Sequence, residues 1–118
     1  MNEEFIIGIV GPCKSGKSIL REGLENHGYN PKHIAQEHSY SPSMWQKIVN
    51  PDILIYLDVS FETTLIRSKM NWTKEEYLKQ IQRLNHARRN ADFHIDTDDL
   101  SQEEVLLTVL KLLSEREK

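Results

Sequence analysis

The sequence predicts an α/β domain on a small, mostly parallel sheet of about four strands. Three observations carry this expectation. Two continuous β-branched runs, residues 5–10 and 52–59, have the composition of strands buried on both faces, as parallel strands are. Segments with apolar residues at three- and four-residue spacing, the helical period, follow them. Strand-like and helix-like segments then alternate along the whole chain with short joints.

Each element has its own justification. Residues 5–10 (Phe-Ile-Ile-Gly-Ile-Val) form the first strand. Residues 17–27 form a helix with Ile19, Leu20 and Leu24 on its apolar stripe, and Gly28 supplies the stop. Residues 32–38 read as a weaker strand and residues 44–49 as a short helix or turn, after which Pro51 opens the next element. Residues 52–59 are the second strong strand, and Ser60 caps a helix running to about Met70. Thr73 and Glu76 make a capping box for a helix to about Asn90, with Tyr77, Leu78, Ile81 and Leu84 as its apolar positions. Residues 92–96 are a short strand. Ser101 and Glu104 form a second capping box, which opens a last helix with Val105, Leu106, Val109, Leu110 and Leu113 on one face.

At 118 residues the chain is one domain, 1–118, able to bury a core without a disulfide or structural metal. Charged residues at 28% and hydrophobic residues at 38% exclude the composition of a disordered chain. A net charge of −3 gives no electrostatic case for nucleic acid. The longest unbroken apolar run, the five residues 53–57, is too short for a membrane span. Met-Asn-Glu-Glu at the N-terminus has neither the basic nor the apolar region of a secretory signal. A lone cysteine forms no internal disulfide, and no Cys/His group has zinc-ligand spacing along the chain. The expected location is a reducing cytoplasm. Charge is unevenly spread: residues 61–91 carry 7 Lys/Arg against 3 Asp/Glu, whereas residues 92–118 carry 3 against 8.

The strongest signal is Gly11-Pro12-Cys13-Lys14-Ser15-Gly16-Lys17-Ser18, which fits G-x-x-x-x-G-K-[ST], the P-loop, without a mismatch. Glycines let backbone amides approach phosphate oxygens where a Cβ would intrude. The amides of the loop and the start of the following helix together attract negative charge. Lys17 would reach β- and γ-phosphates and the Ser18 hydroxyl would hold Mg²⁺. The motif also sits where it must, between a buried strand and a helix.

With that motif the chain resembles the P-loop kinases of the nucleoside and nucleotide kinase type. Residues 11–18 carry the likeness first. Residues 51–59 with 61–67 look like the fourth strand of such kinases and the helix bearing their first lid arginine. Residues 91–98 with 101–113 look like the final strand, base-side loop and closing helix, and together these stretches span about two thirds of the chain. The resemblance implies a three-layer α/β/α P-loop NTPase fold, ATP and Mg²⁺ as cofactors, and a short lid within residues 67–91. It makes Arg67 the arginine that packs on the adenine ring, and Arg83, Arg88 and Arg89 candidates for neutralising phosphate charge. Nucleotide contacts are then expected from residues 11–18, Ile19, Arg67 and Asp98. Two carboxylates end strand-like runs, Glu37 and Asp58. Asp58 alone reads like a Walker B aspartate, but its neighbours match the family's fourth strand, whose terminal Asp is often structural. Glu37 is therefore the favoured partner of Ser18 in holding the metal, and Lys17, Glu37, Asp58, Arg67 and Arg88 form the candidate catalytic set.

Two departures from the family pattern bear on function. Glu37 and His38 stand where the family places an Asp-Arg pair, and only residues 38–50 separate this strand from Pro51, where the family carries a much longer acceptor-binding insertion. The chain reads as a nucleotide-binding scaffold that has lost most of its acceptor domain. Three functions stay open: a small Mg²⁺-dependent phosphotransferase or ATPase, a regulatory or scaffold module that binds nucleotide with little turnover, and a subunit whose acceptor site comes from a partner. The absence of an Asn-Lys-x-Asp motif and the cationic segment around Arg67 favour ATP over GTP. The exposed edges of a small sheet would permit a homodimer, which nothing in the sequence specifically indicates.

Overall fold

The computed structural model describes residues 5–68 and 71–116. They form a mixed α/β structure around a four-stranded, all-parallel sheet in the order β2-β1-β3-β4. The strands are β1 (Ile6–Val10), β2 (Asn30–His33), β3 (Ile53–Asp58) and β4 (Phe93–Asp96). Five α-helices connect and flank them: α1 (Lys17–Asn26), α2 (Met44–Ile48), α3 (Phe61–Arg67), α4 (Lys74–Asn90) and α5 (Gln102–Arg116).

Strand periodicity sends alternate side chains of the two central strands into two separate cores. Ile7 and Ile9 of β1 and Ile53, Ile55 and Leu57 of β3 pack with Leu20 and Leu24 of α1 and Val105, Val109 and Leu113 of α5. Val10, Leu54 and Tyr56 face the other way, against Trp45 of α2 and Leu84 and Ala87 of α4. Both faces of β1 and β3 are thus covered, which explains why these strands read as continuous apolar runs. No helix among the described residues is long and apolar enough to cross a membrane.

The helix ends follow the expected chemistry. Gly28, at φ 84°, ends α1 while the amide of Tyr29 bonds back to the Leu24 carbonyl. Thr73 and Glu76 exchange the two hydrogen bonds of a capping box, and so do Ser101 and Glu104. Ser60 accepts from the Thr63 amide and starts α3. This helix ends at Arg67 and not near Met70, which lies outside the described residues.

Three expectations need correction. The strand expected over residues 32–38 is β2, Asn30–His33, followed by a turn of 3-10 helix at Gln36–His38. Buried Gln36 is the cause: its amide donates to the carbonyls of Ser41 and Arg83 and accepts from the Trp45 amide, drawing the chain away from the sheet. On α4 the buried stripe is Gln80, Leu84 and Ala87, while Leu78 stays 51% exposed. On α1, Leu20 and Leu24 are buried and Ile19 is 44% exposed.

Candidate functional site

In a parallel sheet the loops leaving the C-terminal strand ends gather along one edge, where ligand crevices form. Here a cavity of about 720 Å³ occupies that edge. Cys13 and Lys14 through Leu20 form one wall, His33 and Glu37 beyond β2 a second, and Arg67 with Thr97, Leu100, Ser101, Gln102 and Val105 a third.

The glycine-rich loop owes its shape to two glycines. A Cβ on Gly11 would run into the Leu57 carbonyl oxygen and sit 2.7 Å from Ser15 Oγ, so the loop packs on β3 only without one. Gly16, at φ 99°, turns the chain into α1 in a left-handed conformation, although the space beside it is open. Lys14 also has a positive φ, 68°, an uncommon posture for a non-glycine residue that is held by its surroundings.

Lys17 is the buried centre. Its ammonium donates to the carbonyls of Gly11 (2.7 Å) and Pro12 (3.0 Å) and pairs with Glu37 Oε2 at 2.9 Å. Both side chains of the pair are 5% exposed. These three acceptors match the three N–H donors of an ammonium group. By contrast, Glu37 Oε1 and Ser15 Oγ are buried without a hydrogen-bond partner among the described residues. The cavity therefore contains a cation fully engaged by the protein beside two polar atoms that are not.

Arg67 braces the far wall. One terminal nitrogen donates to the Lys14 carbonyl at 2.9 Å and Thr97 Oγ1 at 3.0 Å, while the other donates to the Thr97 carbonyl. Thr97 Oγ1 passes the connection on to the Asp58 carbonyl at 2.7 Å. A single guanidinium so fixes α3, the glycine-rich loop and the loop after β4 relative to one another.

The structure brings Cys13, Lys14, Ser15, Gly16, Lys17, Ser18, Ile19, Glu37 and Arg67 to the cavity, while Gly11 and Pro12 do not line it and the remaining candidates lie elsewhere. The Asp58 carboxylate accepts from the Val59 amide at 3.0 Å, lies 3.1 Å from His94 Nε2 and does not line the cavity. Asp98 accepts from the Ser60 amide at 2.8 Å, anchoring the start of α3. Burial alone would raise its pKa, but the Ser60 amide and hydroxyl, the Thr63 hydroxyl and the Arg67 charge hold the carboxyl below its ordinary range. Arg88 stacks over the Tyr56 ring at 5.9 Å and Arg83 over Tyr40 at 4.6 Å. Arg89 is exposed and also off the cavity wall. Most of the segment expected as a lid is α4, a helix packed by Gln80, Leu84 and Ala87.

Sequence reasoning missed Gln80 and His33, and gave Thr97, within the stretch expected beside the base, no role of its own. Gln80 reaches from α4 to accept from the Cys13 amide at 3.0 Å and to donate to Cys13 Sγ at 3.2 Å. A polar residue at i, with Leu84 and Ala87 at i+4 and i+7, was the available signal of a buried hydrogen-bonding position. His33 has its pKa lowered, first by burial and then by the Lys17 charge, so it adds no cation to the wall near neutrality. Comparison with protein-family models and with curated proteins finds no match to this chain.

Proposed function

We propose that the chain is a P-loop nucleotide-binding protein of three-layer α/β/α architecture that takes ATP with Mg²⁺ and acts as a small phosphotransferase or ATPase. The observation that carries this reading is the cavity at the end of β1, walled by residues 13–18 of a complete G-x-x-x-x-G-K-[ST] motif, buried Lys17 among them. The residues present suit the cofactors. Residues 13–18 and the start of α1 line a space where phosphate would sit, with the unpartnered Ser15 hydroxyl able to donate to it and the unpartnered Glu37 Oε1 to accept a cation.

Ser18 and Glu37 would hold Mg²⁺, which supplies charge neutralisation to the phosphates when bound. Lys17 serves as the cation for phosphate oxygens; meeting them requires it to give up one of its three present acceptors. Arg67 already faces the cavity as a flat, rigidly held guanidinium, suited to stacking on a base. Leu100 and Val105 add apolar surface on the same side.

A second reading, a nucleotide-binding module with little turnover, also has an observation behind it. No residue between His38 and Asp58 lines the cavity, so the stretch after Glu37 provides no wall for a phosphate acceptor. Two measurements on folded protein separate the readings. Calorimetry should show Mg·ATP binding that Lys17→Ala weakens at least about tenfold, ~1.4 kcal/mol; equal affinities would sink the site assignment. ADP release that Glu37→Gln abolishes while ATP still binds supports the enzyme. ATP binding by the wild type without ADP release, with any small acceptor offered, supports the module.

A further inference from the structure

The fold assembles a second constellation that the linear spacing of the chain conceals. Cys13 Sγ, from the glycine-rich loop, lies 3.9 Å from His38 Nε2, at the end of the 3-10 turn. The same nitrogen lies 3.9 Å from Glu37 Oε2, and a donor atom from each of the three residues falls within 4.8 Å of the others. We propose that Cys13, Glu37 and His38 form a binding site for a thiophilic divalent cation of the zinc type.

The donor chemistry argues for that class. Thiolate and imidazole select zinc-like ions over Mg²⁺ or Ca²⁺, which prefer oxygen. Three protein ligands leave a fourth tetrahedral position open to water. Bonds of about 2.0–2.3 Å set tetrahedral donors roughly 3.3–3.7 Å apart. The two separations from His38 Nε2, 3.9 Å each, need a few tenths of an ångström of closure, which its 60% exposed side chain is free to supply. Cys13 and Glu37, within 4.8 Å of one another, need up to about an ångström. The Cys13 thiolate and the Glu37 carboxylate, whose charge Lys17 shares, set negative charge against a divalent ion, the Cys13 proton passing to solvent on binding.

The surroundings support the site. Lys17 engages Glu37 through Oε2, whereas Oε1 of that buried carboxylate has no hydrogen-bond partner among the described residues. The carboxylate can thus turn Oε1 to a cation, or share with it Oε2, the atom that Lys17 pairs with and that lies 3.9 Å from His38 Nε2. Gln80 grips Cys13 from behind, accepting from its amide at 3.0 Å and donating to Sγ at 3.2 Å. Such outer hydrogen bonds orient a ligand. Exposed His38 gives the ion a path from solvent.

The test needs no nucleotide, so its outcome is independent of the function proposed above. Zinc is titrated alone into the full chain against a chromophoric chelator, and cobalt is added separately as a spectroscopic probe. Cys13 is the sole cysteine, so a thiolate-to-cobalt charge-transfer band reports this site and no other. The expected result is that band with one equivalent of metal, its loss in Cys13→Ser, and zinc affinity at least about tenfold weaker in Cys13→Ser and in His38→Gln. Neither change touches the apolar cores, so both variants should stay folded. Absence of the band in the wild type, or unchanged zinc affinity in either variant, overturns the proposal.

Discussion

At the scale of single residues, Lys17 and Glu37 show how one pair serves stability and leaves chemistry available. A buried ion pair adds little net stability, yet removing one partner strands the other charge. Lys17→Met should therefore destabilise the fold by about 3–5 kcal/mol in urea titration, and the Lys17→Met/Glu37→Leu double variant should recover much of the loss. A double variant as unstable as the summed singles would mean that the pair is not coupled. The two loop glycines should separate in the same assay. Gly16→Ala meets only backbone strain, about 1–2 kcal/mol, since nothing lies near its Cβ. Gly11→Ala must push the loop off β3 and should cost more. Residue identity made this part of the site legible, because a fixed motif states both the glycines and the lysine. Gln80 and Thr97 were not legible: each acts through a partner 67 or 30 positions away, Cys13 for Gln80 and Arg67 for Thr97.

At the scale of elements, local signals succeeded where the chain answers to itself. The capping boxes at Thr73 and Ser101 and the stop at Gly28 are satisfied within a few residues, and all three were readable. Local signals failed where a long-range polar bond decides. Gln36 diverts the chain after β2 through the distant Arg83 carbonyl as well as nearby groups, shortening an expected strand to four residues. On α4, the Gln80 bond to Cys13 fixes which stripe turns inward, so Leu78 faces solvent despite its hydrophobicity. Leu84→Ala should then cost about 2–5 kcal/mol by cavity formation, while Leu78→Lys should stay within about 0.5 kcal/mol of the wild type. Comparable losses from both substitutions in chemical denaturation would contradict this orientation of α4.

Across the whole molecule, parallel topology places the ends of β1, β2 and β4 around one cavity, and the alternation of strand-like and helix-like segments made the parallel α/β sheet legible. Global stability should also register its acidic and imidazole groups together. His33 binds protons less readily in the fold than in the unfolded chain, so as pH falls below about 6.5 the unfolded state takes up more protons and stability declines. Asp98, held below its ordinary pKa, contributes stability that is present above that ordinary value and lost as acidification passes through the folded one. Melting temperature should therefore fall in two stages on acidification. His33→Asn should flatten the first and Asp98→Asn the second; unchanged profiles would remove these groups from the pH response.

The central claim is that the cavity at the end of β1 receives the phosphates and base of Mg·ATP. Amide NMR spectra recorded during a Mg·ATP titration test it most directly, because they report each loop separately. Binding in that cavity should give saturable shifts at residues 13–20 and 97–102 and at the Arg67 side chain, with the exposed face of α4 around Leu78 unmoved. No shift within residues 13–20, or saturable shifts confined to another surface, would contradict it.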